Sequence, residues 1–282
     1  MKRWLMTSLT VFALCSPALR ADVTVVQTTT VEGGMAAMGG GAAPSPTTTT
    51  KVKGQKSRTD VDIPSMMQIA TITDLPAKQV IILRPDQKTA TYVSPAGSTA
   101  GTGAPAGTVP PNVTPPSVDA SIKPTGKSQV IDGISCDEYA FTSSIAMSEM
   151  GGGQMPPEAA AMMKDMKMNM VGSMWVAKEV PGAAEYIAFQ KAAASSDMGS
   201  AMANATGMKM PGMEKMQKAM ASLNGMAYLT EMQMTVEGTG QMADMMKQMG
   251  PMKITVKVTS VKTDSIGDDQ FTVPSDYKVI KQ

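Results

Sequence analysis

Apolar and polar residues alternate with a period of two along much of the chain, and helical spacing takes over in only a few stretches. Val23, Val25, Gln27, Thr29 and Val31 interleave with Thr24, Val26, Thr28 and Thr30, a β-branched stretch suited to extended backbone. Further strands are expected at 47–53, 57–63, 68–75, 79–83 and 88–93, most of them bounded by Gly, Pro or Asp. Such close spacing predicts an antiparallel meander rather than alternating β/α units. Pairing resumes at 127–131 and 136–143, around the strong turn signal Asp132-Gly133, and again at 173–179, closed by Pro181-Gly182. Within 225–237, Met226, Tyr228, Thr230, Met232, Met234 and Val236 are expected on one face. Met252, Ile254, Val256 and Val258 follow the same rule, opposite Lys253, Thr255, Lys257 and Thr259. One wet face and one buried face mark an antiparallel sheet covered on a single side.

Two stretches break the pattern. Residues 33–46 are rich in Gly, Ala and Pro and read as a mobile loop. In 94–116, Pro, Gly, Thr and Ala dominate, and Val109 and Val113 are too few to seed a core, so a flexible linker is expected.

Helical spacing appears at 183–194, where Tyr186, Phe189 and Ala193 fall on one side. It also appears in the methionines, of which the chain has 30. Pro157 suits a first helical position, and Met162, Met163, Met166 and Met170 follow before Gly172. Met213, Met216 and Met220 form a second set, and Met242, Met245, Met246 and Met249 a third that ends at Gly250-Pro251. Three short amphipathic helices with methionine stripes are therefore expected, the first two in Met-rich inserts at about 147–172 and 197–222.

Three roles fit such stripes. They can pack on the open face of the sheet as a soft core, because methionine is flexible and fills irregular gaps. They can line a groove for an apolar ligand, with Met213, Met216, Met220, Met242, Met245, Met246 and Met249 as the candidate binding residues. Or thioethers can hold Cu(I), since soft sulfur selects that ion; Met166, Met168 and Met170, and Met208, Met210 and Met213, have the clustered spacing. The same methionines also serve as the apolar residues of helices and strands, which counts against copper.

Charge and composition narrow the compartment and the chemistry. Lys2 and Arg3, an apolar run from Trp4 to Cys15, and Ala18-Leu19-Arg20-Ala21 have the three-part layout of a secretory leader cleaved after Ala21. Export to the periplasm or beyond is thus expected, with one domain over 22–282. The apolar run is shorter than the about 20 residues that span a bilayer, so no transmembrane segment is expected. Leu14 before Cys15 is a poor match to a lipoprotein site. Beyond residue 21 the chain carries 22 basic and 24 acidic residues, a net of −2, with no basic patch, which argues against nucleic acid. With no His in the chain, triads and zinc sites that need imidazole are excluded. Cys136 lacks an imidazole partner and reads as a buried thiol, while Asp137-Glu138 and Asp268-Asp269 read as solvated acids. No catalytic residue, resident metal or cofactor is identified, and an enzyme is not expected.

The order of several motifs resembles a known family. Val52-Lys-Gly-Gln-Lys-Ser-Arg58, Ile72-Thr-Asp-Leu75 and Lys88-Thr-Ala-Thr-Tyr92 are followed by Ile131-Asp-Gly-Ile-Ser-Cys-Asp-Glu-Tyr139 and Met174-Trp-Val-Ala-Lys-Glu-Val-Pro-Gly182. Leu223-Asn-Gly-Met226 and Phe271-Thr-Val-Pro-Ser-Asp-Tyr-Lys278 close the series. Together they resemble a bacterial family of unknown function related to the LolA-like periplasmic carriers of lipoproteins and lipids. The resemblance implies an α+β fold, an antiparallel half-barrel with short helices, here Met-rich, on its concave face. It also implies a non-enzymatic envelope protein whose partner is a lipid or a lipidated protein. Cu(I) buffering and a purely structural or interaction role are the alternatives.

Overall fold

The computed structural model describes residues 22–34, 45–64, 67–93, 119–147, 163, 165–196, 219–220 and 222–281. Residues 1–21, most of the two expected loops, and Met213 and Met216 lie outside this set. Twelve strands form one sheet: β1 (Val23–Gly33), β2 (Thr47–Lys53), β3 (Lys56–Ile63), β4 (Met67–Asp74), β5 (Gln79–Arg84) and β6 (Thr89–Val93) come first. β7 (Asp119–Ile131), β8 (Ile134–Ala146), β9 (Lys167–Ala177), β10 (Met226–Glu237), β11 (Met252–Lys262) and β12 (Lys278–Lys281) complete it. Two helices stand out among the described residues, α1 (Ala183–Ser195) and α2 (Gln241–Gln248), with a 3-10 turn at Asp268–Phe271.

The strand order is β12-β6-β5-β4-β3-β2-β1-β11-β10-β9-β8-β7, so the sheet is open, with β12 and β7 at its edges. Two meanders, β1 to β6 and β7 to β11, meet where β1 pairs with β11. Every neighbouring pair is antiparallel except β12 beside β6. The expected β-rich antiparallel fold with few helices is therefore what forms. Asp132 and Gly133 turn β7 into β8 with φ of 50° and 82°, the left-handed pair that a two-residue hairpin needs.

The C-terminal end of one expected helix is strand instead. Met166 is buried, and Lys167–Ala177 is strand, paired with β8 on one side and β10 on the other. The helical spacing of Met162, Met163, Met166 and Met170 therefore does not describe its C-terminal end. Met168 and Met170 also fit a period of two, and two ladders of backbone hydrogen bonds favour that period. The single face expected from Met226 to Val236 is interrupted as well. A bulge between Ala227 and Leu229 shifts the register, and alternation is regular only from Thr230 onward.

One face of the β4–β6 region is packed over by the C-terminal segment, and on the other Val80 and Val93 are buried. Ile72 and Ile81, with Ala70, Leu83 and Ala90, pack on one face against Ile266 and Phe271 of the C-terminal segment. That segment is pinned by Lys51 Nζ donating to Gln270 Oε1 at 2.7 Å and by Ile266 N–H donating to Asp22 Oδ2 at 2.7 Å. The principal core gathers Val23, Val25, Val52, Cys136, Ala177, Met226, Tyr228 and Val258 around Ala183 and Phe189 of α1.

Candidate functional site

A cavity of about 580 Å³ lies between α1 and one face of the sheet. The chain turns into α1 at Gly182, where φ is +76° and an added Cβ would lie 2.7 Å from Val23 Cγ2, so only glycine brings the helix this close to β1. The run Ala183–Ser195 is rich in alanine and has Glu185 in its first turn, both of which favour helix. As expected from their spacing, Phe189 is buried, and Tyr186 and Ala193 pack beside it. Tyr186, Phe189 and Ala193, with Ile187, Gln190 and Ala194, form the helical wall of the cavity.

The sheet supplies the opposite wall. Register sets Phe141 of β8 level with Gly172 of β9 and Met232 of β10, and Met174 level with Thr230 and Val256. Phe141, Met170, Met174, Thr230, Met232 and Val256 all line the cavity, as do Gln27, Thr73 and Val80 from the other meander. Gly172 leaves room for this wall. A Cβ there would collide with the Glu231 carbonyl oxygen and come within 2.8 Å of Phe141 Cε1. The segment entering β10 closes one side with Met220, Leu223 and Gly225. Polar atoms are few, from Gln27, Thr73, Gln190, Lys191 and Thr230. Burial pushes the Tyr186 hydroxyl above its usual pKa, while a hydrogen bond with Gln190 pulls the other way, so the phenol stays neutral.

The sequence-derived binding residues are divided by this geometry. Met220 lines the cavity and is 43% exposed. Met245, Met246 and Met249 belong to the α2 region, which packs against β10, and none of them lines the cavity. Met245 is 58% exposed and the other two are half-buried. The Met242 side chain, like Met213 and Met216, is outside the described set. In the sequence, Met232 falls on a strand face, Met170 in a helical methionine stripe and a metal spacing, Met174 and Leu223 only in motifs of the family resemblance, and Phe141 only within an expected strand. The period-two alternation of β9 and β10 was the feature that could have identified the first three.

The remaining reactive groups are held in structural contacts. Cys136 is fully buried, its thiol donates to Ile134 O at 3.6 Å, and burial raises its pKa, reinforced by Asp137 and Asp132. Asp137 accepts from Lys178 Nζ at 2.5 Å and Ser128 Oγ at 2.7 Å, and these hydrogen bonds hold its carboxyl below the usual range. Asp268 pairs with Lys53 at 2.8 Å, and Glu138 accepts from Thr125 Oγ1 at 2.7 Å. Among the described residues, no helix is long and apolar enough to cross a membrane, and no three His, Cys, Asp or Glu gather as a metal site. No family model matches the chain, and a search of curated proteins finds no match to its sequence.

Proposed function

We propose that this chain is an exported, non-enzymatic protein of the bacterial cell envelope that holds an apolar ligand, an acyl chain or the lipid of a lipidated partner, between α1 and the sheet. The cavity carries this reading. Its volume of about 580 Å³ falls within the roughly 300–1,000 Å³ of small-molecule sites, and its walls are apolar with few polar atoms to orient one end of a ligand. At about 30 Å³ per heavy atom it has room for on the order of twenty such atoms, which suits a long acyl chain. Methionine in the wall suits chains of varied shape, since its side chain repacks at low cost. The motif order in the sequence supports a half-barrel of the LolA-like kind, and the leader-like residues 1–21 support export.

Native mass spectrometry of protein taken from the periplasmic fraction tests the reading. Expected is an extra mass that organic solvent extracts as lipid. Recovery from the cytoplasm, or of periplasmic protein that carries no adduct and takes up no fatty acid, contradicts it.

A further inference from the structure

Three methionines on neighbouring strands stand in one cross-strand row. Met170 of β9 pairs with Met234 of β10, and Met234 pairs with Met252 of β11. Paired residues hold their Cβ atoms about 4.5–5.5 Å apart, so the outer two are roughly 10 Å from each other. Each thioether sulfur lies two bonds beyond its Cβ. Outer side chains that lean inward over Met234 therefore bring three sulfurs round one point. Alternation puts Met168 and Met232 on the same face, one step along their strands. All five are half-buried, so an ion reaches them without opening the core.

We infer that Met170, Met234 and Met252 form a Cu(I) site. Three neutral, soft sulfur donors with no imidazole or carboxylate in the row select Cu(I) over Zn(II) and Cu(II), which prefer nitrogen and oxygen ligands. The residues that continue the row are Ser143 and Gly33, neither of which brings a charge. Met170 and Met232 also line the apolar cavity, so ion and ligand occupy adjoining parts of one face. Binding uses sulfur lone pairs only, and no electron transfer is involved.

The test compares the full leader-free chain with its Met170→Leu/Met234→Leu/Met252→Leu variant. Leu for Met conserves volume and is usually tolerated, so sulfur is removed and apolar packing kept. Cu(I), held reduced by ascorbate without oxygen, is partitioned between protein and a chromophoric Cu(I) chelator. Wild-type protein is expected to withdraw Cu(I), and the variant's tightest equivalent to weaken at least tenfold while its far-ultraviolet circular dichroism and urea midpoint stay close to those of the wild type. Wild-type protein that withdraws no Cu(I), or a variant of unaltered affinity, overturns the inference. Carbon-13 spectra of labelled methionine methyls in the wild-type chain give a second readout that needs no variant. The first equivalent should shift the Met170, Met234 and Met252 methyls together, and movement of other methyls alone refutes the site.

Discussion

Gly172→Ala adds a single methyl group to β9 between Phe141 and Met232, two residues of the cavity wall. The new Cβ would collide with the Glu231 carbonyl oxygen and lie 2.8 Å from Phe141 Cε1 and 2.9 Å from Met232 Cα. Carbon atoms rest at about 3.5–4.0 Å, so each carbon contact is short by at least roughly 0.6 Å. Phe141 can swing aside, but Glu231 O and Met232 Cα are backbone of β10, and relief there requires the strands to part. Overpacking of this kind costs about 1–3 kcal/mol, and a lost ladder hydrogen bond adds about 0.5–1.5 kcal/mol. The expected loss is about 3 kcal/mol, a large part of the about 5–15 kcal/mol that ordinarily holds a domain. Urea unfolding followed by fluorescence measures it, because Trp175 is the one tryptophan after residue 21. Gly54→Ala is the comparison, for its Cβ would meet nothing within 4 Å, and its cost is limited to about 1–2 kcal/mol of left-handed strain at φ +58°. Since Phe141 must move, Gly172→Ala should also weaken hydrophobic-probe binding. A loss no greater than that of Gly54→Ala, with probe binding intact, would refute the reasoning.

Met232→Glu places a carboxylate in the cavity wall and should weaken fluorescent-probe binding at least tenfold, as a titration would show; unchanged affinity would put the probe elsewhere. Cys136 should resist a thiol reagent in native protein and react fully in urea, because the thiol is fully buried and its pKa is raised by burial. Lys178, Lys53 and Lys88 hold the carboxyls of Asp137, Asp268 and Asp276 below their usual pKa through hydrogen bonds. Their stabilisation is complete above the unfolded carboxyl pKa of about 4 and disappears as pH falls through the lowered folded values. Urea midpoints should therefore fall between about pH 5 and pH 3, less steeply in Asp137→Asn and in high salt, where exposed pairs are screened.

The hairpin at Asp132-Gly133, helix α1 and the regular part of β10 could be read directly, because each rests on local chemistry. Positive φ at the turn favours Gly and Asp, alanine-rich spacing favours α1, and alternation from Thr230 to Val236 needs no distant partner to be recognised. Met168 and Met170 could not be read that way. Both fit a period of two, Met170 also fits helical spacing with Met166, and methionine has a high helix propensity, so only pairing such as that of Met170 with Ser143 and Met234 decides for strand. The cavity depends on contacts still more distant in sequence. Gln27, Val80, Phe141 and Met232 come from four strands and meet only because β1 joins β11 in the middle of the sheet. The cover that Ile266 and Phe271 provide over β4–β6 is equally long-range, and without it the apolar run Val80–Leu83 reads as a strand but not as one buried on both faces.

Displacement of a bound naphthylamine probe by saturated fatty acids of increasing length tests the apolar site most directly. Burial of a methylene is worth about 0.8 kcal/mol, so affinity should rise about fourfold per added carbon until the space beside α1 is filled, then level off. Fatty acids that fail to displace the probe, or displace it equally well at every length, would contradict the account.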